Sequence, residues 1–354
     1  MNDQNYHEEL KLKNTSRLGN LLKGMPPFLK DFFRGISEIT STRTRIAYSY
    51  DLRIFFNFLI EQIDFFADKE IQDITMEDLD SVSAIDLELF LEYLTYYVKN
   101  KDSTSSYYHN DESGKMRKLS SIRTLYNYYY KKRLINTNPA LLVDTPRTRQ
   151  KNIIHLEMSE VSQLLDEIES GQKLSKTQKK FHFHNKRRDL AIVTLLLGTG
   201  IRISECVGLD VDHIDFDINA MQVTRKGGNN STIYFSDEVS MALKLYLIER
   251  RSIEPKDGYK NALFLSLHRR RITDRSIQLL VKKYSSLVTK MKTITPHKLR
   301  STYGTSLYRE TNDIYLVAEV LGHVDINTTK KHYAAMSEDR RREAAKYIKL
   351  RQDC

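Results

Sequence analysis

Residues 136–152, NTNPALLVDTPRTRQKN, restrict the fold of this chain more than any other stretch. Pro139 and Pro146 cannot donate a backbone hydrogen bond, and each pushes the preceding residue out of the helical region. No continuous helix can pass through them, and the second half of the stretch is basic. A chain of 354 residues is also long enough for two cores. The stretch therefore reads as a linker between a domain over residues 26–150 and a second over residues 151–354. Residues 1–25 are polar and mixed in charge, and read as a flexible arm or a short helix before Pro26 and Pro27.

The first domain repeats a helical period. Tyr48, Leu52, Phe55, Phe56 and Leu59 fall on one face. Leu87, Phe90, Leu91, Leu94, Tyr97 and Val98 give a second apolar face, and Leu119, Ile122, Leu125, Tyr126 and Tyr129 a third. Basic residues edge these helices: Arg43, Arg45 and Arg53 early on, then Lys115, Arg117, Lys118, Arg123, Lys131, Lys132 and Arg133. An all-helical bundle with such edges fits a cap that touches DNA phosphates, and equally an ordinary bundle with a solvated face. The tyrosines at 126, 128, 129 and 130 could stack on bases, but their helical spacing favours core packing.

The second domain opens with an amphipathic helix carrying Val161, Leu164, Leu165 and Ile168, for which Ser159 is a candidate cap. Residues 173–188, KLSKTQKKFHFHNKRR, form a basic stretch that could be a DNA-facing loop. His182 and His184 lack further ligands at a metal-site spacing. The apolar run 190–197 followed by Gly-Thr-Gly reads as a buried helix that breaks and restarts at Ile201-Arg202-Ile203-Ser204-Glu205. Arg202 is thereby held near the core with Glu205 one turn on, an arrangement that also suits a purely structural ion pair. Residues 214–235 alternate like strands and make a hairpin whose glycine-rich tip carries Lys226. Helices resume around 237–251 and 273–291, with a short apolar strand or turn at 262–266. Ser337 opens a final basic helix whose thin apolar strip, Ala344, Ala345 and Ile348, suits docking on a neighbouring subunit or packing on its own chain.

Net charge is +10 and the pI about 9.2, which points to an anionic partner, nucleic acid first. No long apolar run or signal-like segment stands out, and the two cysteines, Cys206 and Cys354, give no disulfide framework. A cytoplasmic protein with no membrane partner is expected.

Chemistry concentrates at residues 294–333: His297 and Arg300 three apart, His323 in Leu-Gly-His, then Tyr333 ten residues later. With Arg202 and Lys226 this set can work on a phosphodiester. Arginine forks meet the non-bridging oxygens of a phosphate in transition. A tyrosine, with a pKa of about 10, needs a base or a cationic pocket before it attacks. His297 is the candidate base, Lys226 the candidate acid for the leaving oxygen, and His323 a further donor. No carboxylate cluster for two Mg²⁺ ions and no GxxxxGK[ST] loop occurs, so neither metal nor nucleotide is expected as a cofactor. Each piece alone has an ordinary structural explanation; the order and spacing of all six carry the specificity.

These motifs, GTGIRISE, the lysine of VTRKGG, PHKLR, LGH and the tyrosine ten residues on, resemble the tyrosine recombinase (phage integrase) family, and within it the Xer branch in its single-recombinase form. The resemblance covers residues 40–350. It implies an α-helical, SAM-like core-binding domain and a mixed, mainly α (α+β) catalytic domain with a small antiparallel sheet, closing as a C-shaped clamp on DNA. It implies a homotetramer on a double-stranded recombination site, exchange of the C-terminal helix between subunits, and strand exchange through a Holliday junction. Tyr333 would form a 3′-phosphotyrosyl link, with Arg202, Arg300 and His323 on the phosphate, His297 assisting proton transfer and Lys226 protonating the leaving oxygen. Arg43, Arg45, Lys118, Arg123, Arg188 and Arg225 are the candidate DNA contacts. Xer-type chromosome dimer resolution at a dif-like site, with a septal DNA translocase as activator, is the implied role. An integrase or excisionase of a mobile element shares the chemistry. A topoisomerase-like relaxer or a non-catalytic DNA-binding protein on the same scaffold is a further alternative. One departure stands out: Ser301-Thr302 follows PHKLR where the family often has His-Thr.

Overall fold

The computed structural model describes residues 6–101, 104–147, 153–225, 228–322 and 325–326, the side chains of 98–101 and 104–106 excepted. The chain forms two compact units, residues 1–151 and 152–354.

The first unit is a helical bundle with one hairpin. Its helices are α1 (Tyr6–Leu21), α2 (Leu29–Gly35), α3 (Thr42–Gln62), α4 (Met76–Ser81), α5 (Ala84–Tyr93) and α6 (Glu112–Lys131). Helix α3 starts at Ser41, whose side chain accepts from Thr44 N at 3.1 Å. It buries Leu52, Phe55, Phe56 and Leu59, while Tyr48 packs at the margin. The tyrosine run belongs to this core. Tyr126 and Tyr129 are fully buried, and their hydroxyls donate to Leu79 O at 3.0 Å and Phe28 O at 2.5 Å. A buried phenol needs such an acceptor, and both rings find one in a turn or helix end.

One open reading is decided here and one expectation changes. Residues 6–21 form a helix and not a loose arm. Leu18 is buried, Arg17 donates to the Tyr50 hydroxyl, and Arg53 donates to Leu21 O at 2.7 Å. The second predicted helix stops at Tyr93. Tyr97–Lys101 (β1) and Thr104–Tyr108 (β2) pair antiparallel, with Tyr97 opposite Tyr108 and their rings stacked at 5.6 Å. Aromatic and β-branched residues on both arms favour this cross-strand pairing, and apolar spacing alone cannot separate it from another helical turn.

The second unit is centred on a long helix. It contains α7 (Met158–Ser170), α8 (Lys176–Thr199), α9 (Ile203–Gly208), α10 (Asp237–Arg250), α11 (Asp274–Val288), α12 (Pro296–Thr311) and α13 (Ile314–Leu321). A small antiparallel sheet runs in order β3 (Ile214–Asp215), β4 (Ala220–Thr224), β5 (Asn230–Tyr234). The basic stretch 173–188 is not a loop. Ser175 accepts from Gln178 N, Gln178 Oε1 accepts from Ser175 N, and the helix then runs unbroken into the apolar segment. His182 is buried and donates from Nε2 to Ile168 O at 2.7 Å, a structural role. Helix α7 starts at Glu157, whose amide donates to Glu160, so Ser159 lies inside the helix. Ala191, Ile192, Val193, Leu195 and Leu196 of α8 are buried, with α7, α10 and α12 packed around them. Among the described residues no helix is long and apolar enough to cross a membrane.

Asp51 on α3 is buried and accepts from both Nη atoms of Arg117 on α6. Arg117→Met should lower stability by about 2 kcal/mol in urea unfolding, because it removes two charge-assisted hydrogen bonds to a buried carboxylate. Glu157 accepts from Arg309 at 2.8 Å, and that contact holds its carboxyl down at about 2. The folded pKa is depressed, so this pair stabilises the fold above a pH of about 4.5 and the benefit fades as pH falls through about 2. Glu157→Gln should therefore unfold at slightly lower urea than the parent at pH 7, by less than about 1 kcal/mol because the pair is half exposed, with the gap closing toward pH 2.

Candidate active site

Helix α8 ends at Gly200, in the left-handed region at φ +62°. A side chain there would press within 2.4 Å of Tyr303 and 2.9 Å of Leu321, so only glycine allows both the turn and the close packing. Two residues on, Arg202 caps α9. Its amide donates to Glu205 Oε2 and its Nη1 to Glu205 Oε1, both at 2.8 Å. The Glu205 side chain is 1% exposed. The second fork of Arg202, Nη2, donates to Gly322 O at 3.1 Å.

Arg300 approaches from the other side. Pro296 sits in the first turn of α12, where its missing N–H costs nothing. His297 follows, exposed, and Arg300 lies one turn later, 4% exposed. Its Nη1 donates to Gly200 O at 2.5 Å and its Nη2 to Leu321 O. Helix α13 is capped at its start by Asp313, which accepts from Tyr315 N and Leu316 N, and it ends in the left-handed Gly322. The last carbonyls of a helix have no partner within it and carry its negative end. Here the two arginines supply the donors.

A third guanidinium reaches the same place. Arg225, at the end of β4, donates from Nη2 to Val320 O at 3.0 Å and from Nη1 to Leu321 O at 3.5 Å. Nη1 also lies 3.4 Å from Glu205 Oε2. These groups border an open cleft of about 970 Å³ lined by Arg202, Arg225, Ser231, Tyr303, Gly322 and Asp325. Burial pushes the Tyr303 phenol above its ordinary value, which keeps it protonated in this wall.

Of the six residues singled out from the sequence, the structure brings Arg202 and Arg300 to adjoining carbonyls and places His297 one turn from Arg300. Lys226, His323 and Tyr333 lie outside the described residues, as does the final helix opened by Ser337. The candidate DNA contacts divide. Arg43 is exposed in the first turn of α3, and Arg45 is half buried with its Nε unpaired. The other four are bonded within the fold. Lys118 is buried against Asn110, and Arg123 holds Ala140 O, Val143 O and Thr145. Arg188 binds Asp189 and Leu265 O, and Arg225 is held as described. Each answers a carbonyl or carboxylate distant in sequence or hidden in a turn, which charge counting cannot reveal. The two carbonyl acceptors of Arg225 lie 95 and 96 residues away and are backbone atoms, so no side-chain pattern announces them.

Residues 154–340 match the phage integrase family. The chain belongs to that family. It is 33% identical over 339 residues to tyrosine recombinase XerC of Caldanaerobacter subterraneus subsp. tengcongensis, a match spanning 93% of this chain and 88% of the relative. It is 30% identical over 338 residues to tyrosine recombinase XerS of Lactococcus lactis subsp. cremoris, spanning 90% and 94%. In fold it is similar to the XerH site-specific recombinase solved with a palindromic difH substrate, at a TM-score of 0.61 and 19% identity over 87% of this chain and 80% of that one. The mixed helical unit with its three-stranded sheet is thus a tyrosine recombinase catalytic domain, and the enzyme is a DNA strand transferase by family.

Arg202→Lys should reduce single-turnover DNA cleavage by this recombinase about 100-fold, since an ammonium cannot bridge Glu205 and the Gly322 carbonyl while offering a planar fork to phosphate. Cleavage within a few-fold of the parent would assign Arg202 a purely structural role.

Proposed function

We propose that this enzyme is a Xer-type site-specific recombinase that cuts and rejoins double-stranded DNA through a tyrosyl–phosphate intermediate. The observation that carries this reading is the convergence of Arg202 and Arg300 on the Gly322 and Leu321 carbonyls, immediately before His323 in the chain. Guanidinium planes fixed by protein acceptors are oriented before substrate arrives, so little reorganisation is needed when a phosphate reaches them.

The reaction then runs on side chains of this chain. The Tyr333 phenolic oxygen forms a bond to phosphorus as the bond from phosphorus to the 5′-oxygen breaks. The phenolic proton passes to His297 and a proton from Lys226 goes to the departing oxygen. Arg202, Arg300 and His323 hold the non-bridging oxygens, whose negative charge grows in the transition state. The phosphotyrosyl bond keeps the energy of the broken one, so the 5′-hydroxyl of a partner strand can reverse the step without a nucleotide. We assign no metal to the reaction, because the cationic groups needed are supplied by arginine, lysine and histidine.

The Xer assignment is supported by relatives of that name that align over about nine-tenths of the chain. The role that fits it is resolution of chromosome dimers at a dif-like site during cell division. It would act as a homotetramer in the cytoplasm, with a septal DNA translocase as activator.

Tyr333→Phe tests the chemistry. With a nicked suicide substrate carrying the replication-terminus site, the parent should accumulate a covalent protein–DNA band and the variant none, while its affinity for the site stays within about threefold, since a single hydroxyl contributes little to binding. An undiminished adduct in the variant would remove Tyr333 as the nucleophile.

A further inference from the structure

We infer that Arg225 is a positioning residue for the general acid, a clasp that fixes where the lysine-bearing hairpin tip leaves the sheet. The inference rests on the reading of Lys226 as the acid, and it concerns the residue before it.

Strands β4 and β5 pair from Ala220 opposite Tyr234 to Thr224 opposite Asn230. Beyond Thr224 the backbone closes on itself: Arg225 N donates to Asn229 O at 2.8 Å, and Gly228 N donates to Arg225 O at 3.0 Å. Lys226 and Gly227 are the two residues between Arg225 and Gly228. The tip of a short ribbon is a poor platform for a proton donor, because a narrow hairpin is barely stable by itself and lysine adds four rotatable bonds. A catalytic group must be held to within a fraction of an ångström.

The Arg225 guanidinium supplies an anchor outside the ribbon. It is 11% exposed and bonded to three oxygens: Val320 O, Leu321 O and Glu205 Oε2. It also lies against the face of Gly322, where a methyl group would come within 3.0 Å of Cζ. All of these but Val320 O are shared with the other two arginines. Glu205 orients Arg202, Leu321 O accepts from Arg300, and Gly322 O accepts from Arg202. The clasp therefore ties the residue before Lys226 to the same helix end that orients both phosphate-binding forks. Its Nη atoms are directed into the α13 terminus, where they tie the end of the ribbon to the helix end that Arg202 and Arg300 also grip.

A substrate whose 5′-bridging oxygen is replaced by sulfur tests this directly. A thiol, with a pKa of about 8.5, departs without being protonated, so the need for the acid disappears while every phosphate contact remains. With ordinary DNA, single-turnover cleavage by Lys226→Ala should fall by about 100-fold or more, and by Arg225→Ala about 30-fold, at site affinities within about threefold of the parent. With the sulfur substrate both variants should return to within about threefold of the parent. Arg225→Lys, which keeps charge but cannot reach three acceptors, should show an intermediate loss with the same rescue. If Lys226→Ala is rescued and Arg225→Ala is not, the acid assignment stands and the clasp is overturned. If neither is rescued, the acid assignment itself fails and the clasp falls with it. If Arg225→Ala loses DNA affinity in step with its cleavage rate, the residue is a phosphate contact and the clasp is again overturned. Should Arg225→Ala fold poorly, Arg225→Lys carries the same comparison.

Discussion

The last turn of α13 is what the catalytic domain depends on. Three guanidinium groups, from the α8–α9 turn, from α12 and from the end of β4, meet the carbonyls of Val320, Leu321 and Gly322. Three like charges at close range would repel one another in a partly desolvated site. They coexist because one buried carboxylate, Glu205, is shared by Arg202 and Arg225, and because the negative end of a helix offers its unsatisfied oxygens to all three. Among the described residues, Glu319 and Asp325 also line the cleft beside these groups. The guanidinium planes are fixed in direction by protein acceptors, and that orientation is what a phosphodiester can answer.

The same interaction explains why the glycines on either side of it matter. Gly200 and Gly322 both sit in the left-handed region, and a Cβ at either would collide with the assembly, at Tyr303 and Leu321 in one case and at Arg225 in the other. They end their helices where Gly200 O, Leu321 O and Gly322 O meet the arginines. The cleft beside them is open and mixed in character, with Arg202 and Arg225 beside apolar and polar groups from the sheet and from α13, a shape suited to an extended ligand rather than to a small enclosed one.

Much of this was readable from residue order. The apolar faces of α3 and α6, the break after the buried helix, the Arg202–Glu205 pair and the β4–β5 hairpin all follow from local periodicity or local bonding, and the structure contains them. The structure also settles the tyrosines at 126 and 129 as core residues with satisfied hydroxyls. What misled were places where local patterns are degenerate. An apolar spacing continued past Tyr93 into what is a strand, and a basic run over 173–188 resembled a loop although its capping residues start a helix. Charge, moreover, says nothing about which way a side chain points. Lys118, Arg123, Arg188 and Arg225 all face inward to partners in other elements.

The sequence by itself determined the family, the two-part division at the proline-bearing linker, and the kinds of side chain available for phosphoryl transfer, because composition, helix breakers and motif order are properties of the chain read in one dimension. Only the tertiary structure decided which of the many basic residues belong to the site. A guanidinium chooses among acceptors by geometry, and the deciding acceptors here are main-chain oxygens about a hundred residues away, present at every position of every sequence and distinguished solely by where the folded backbone leaves them unpaired.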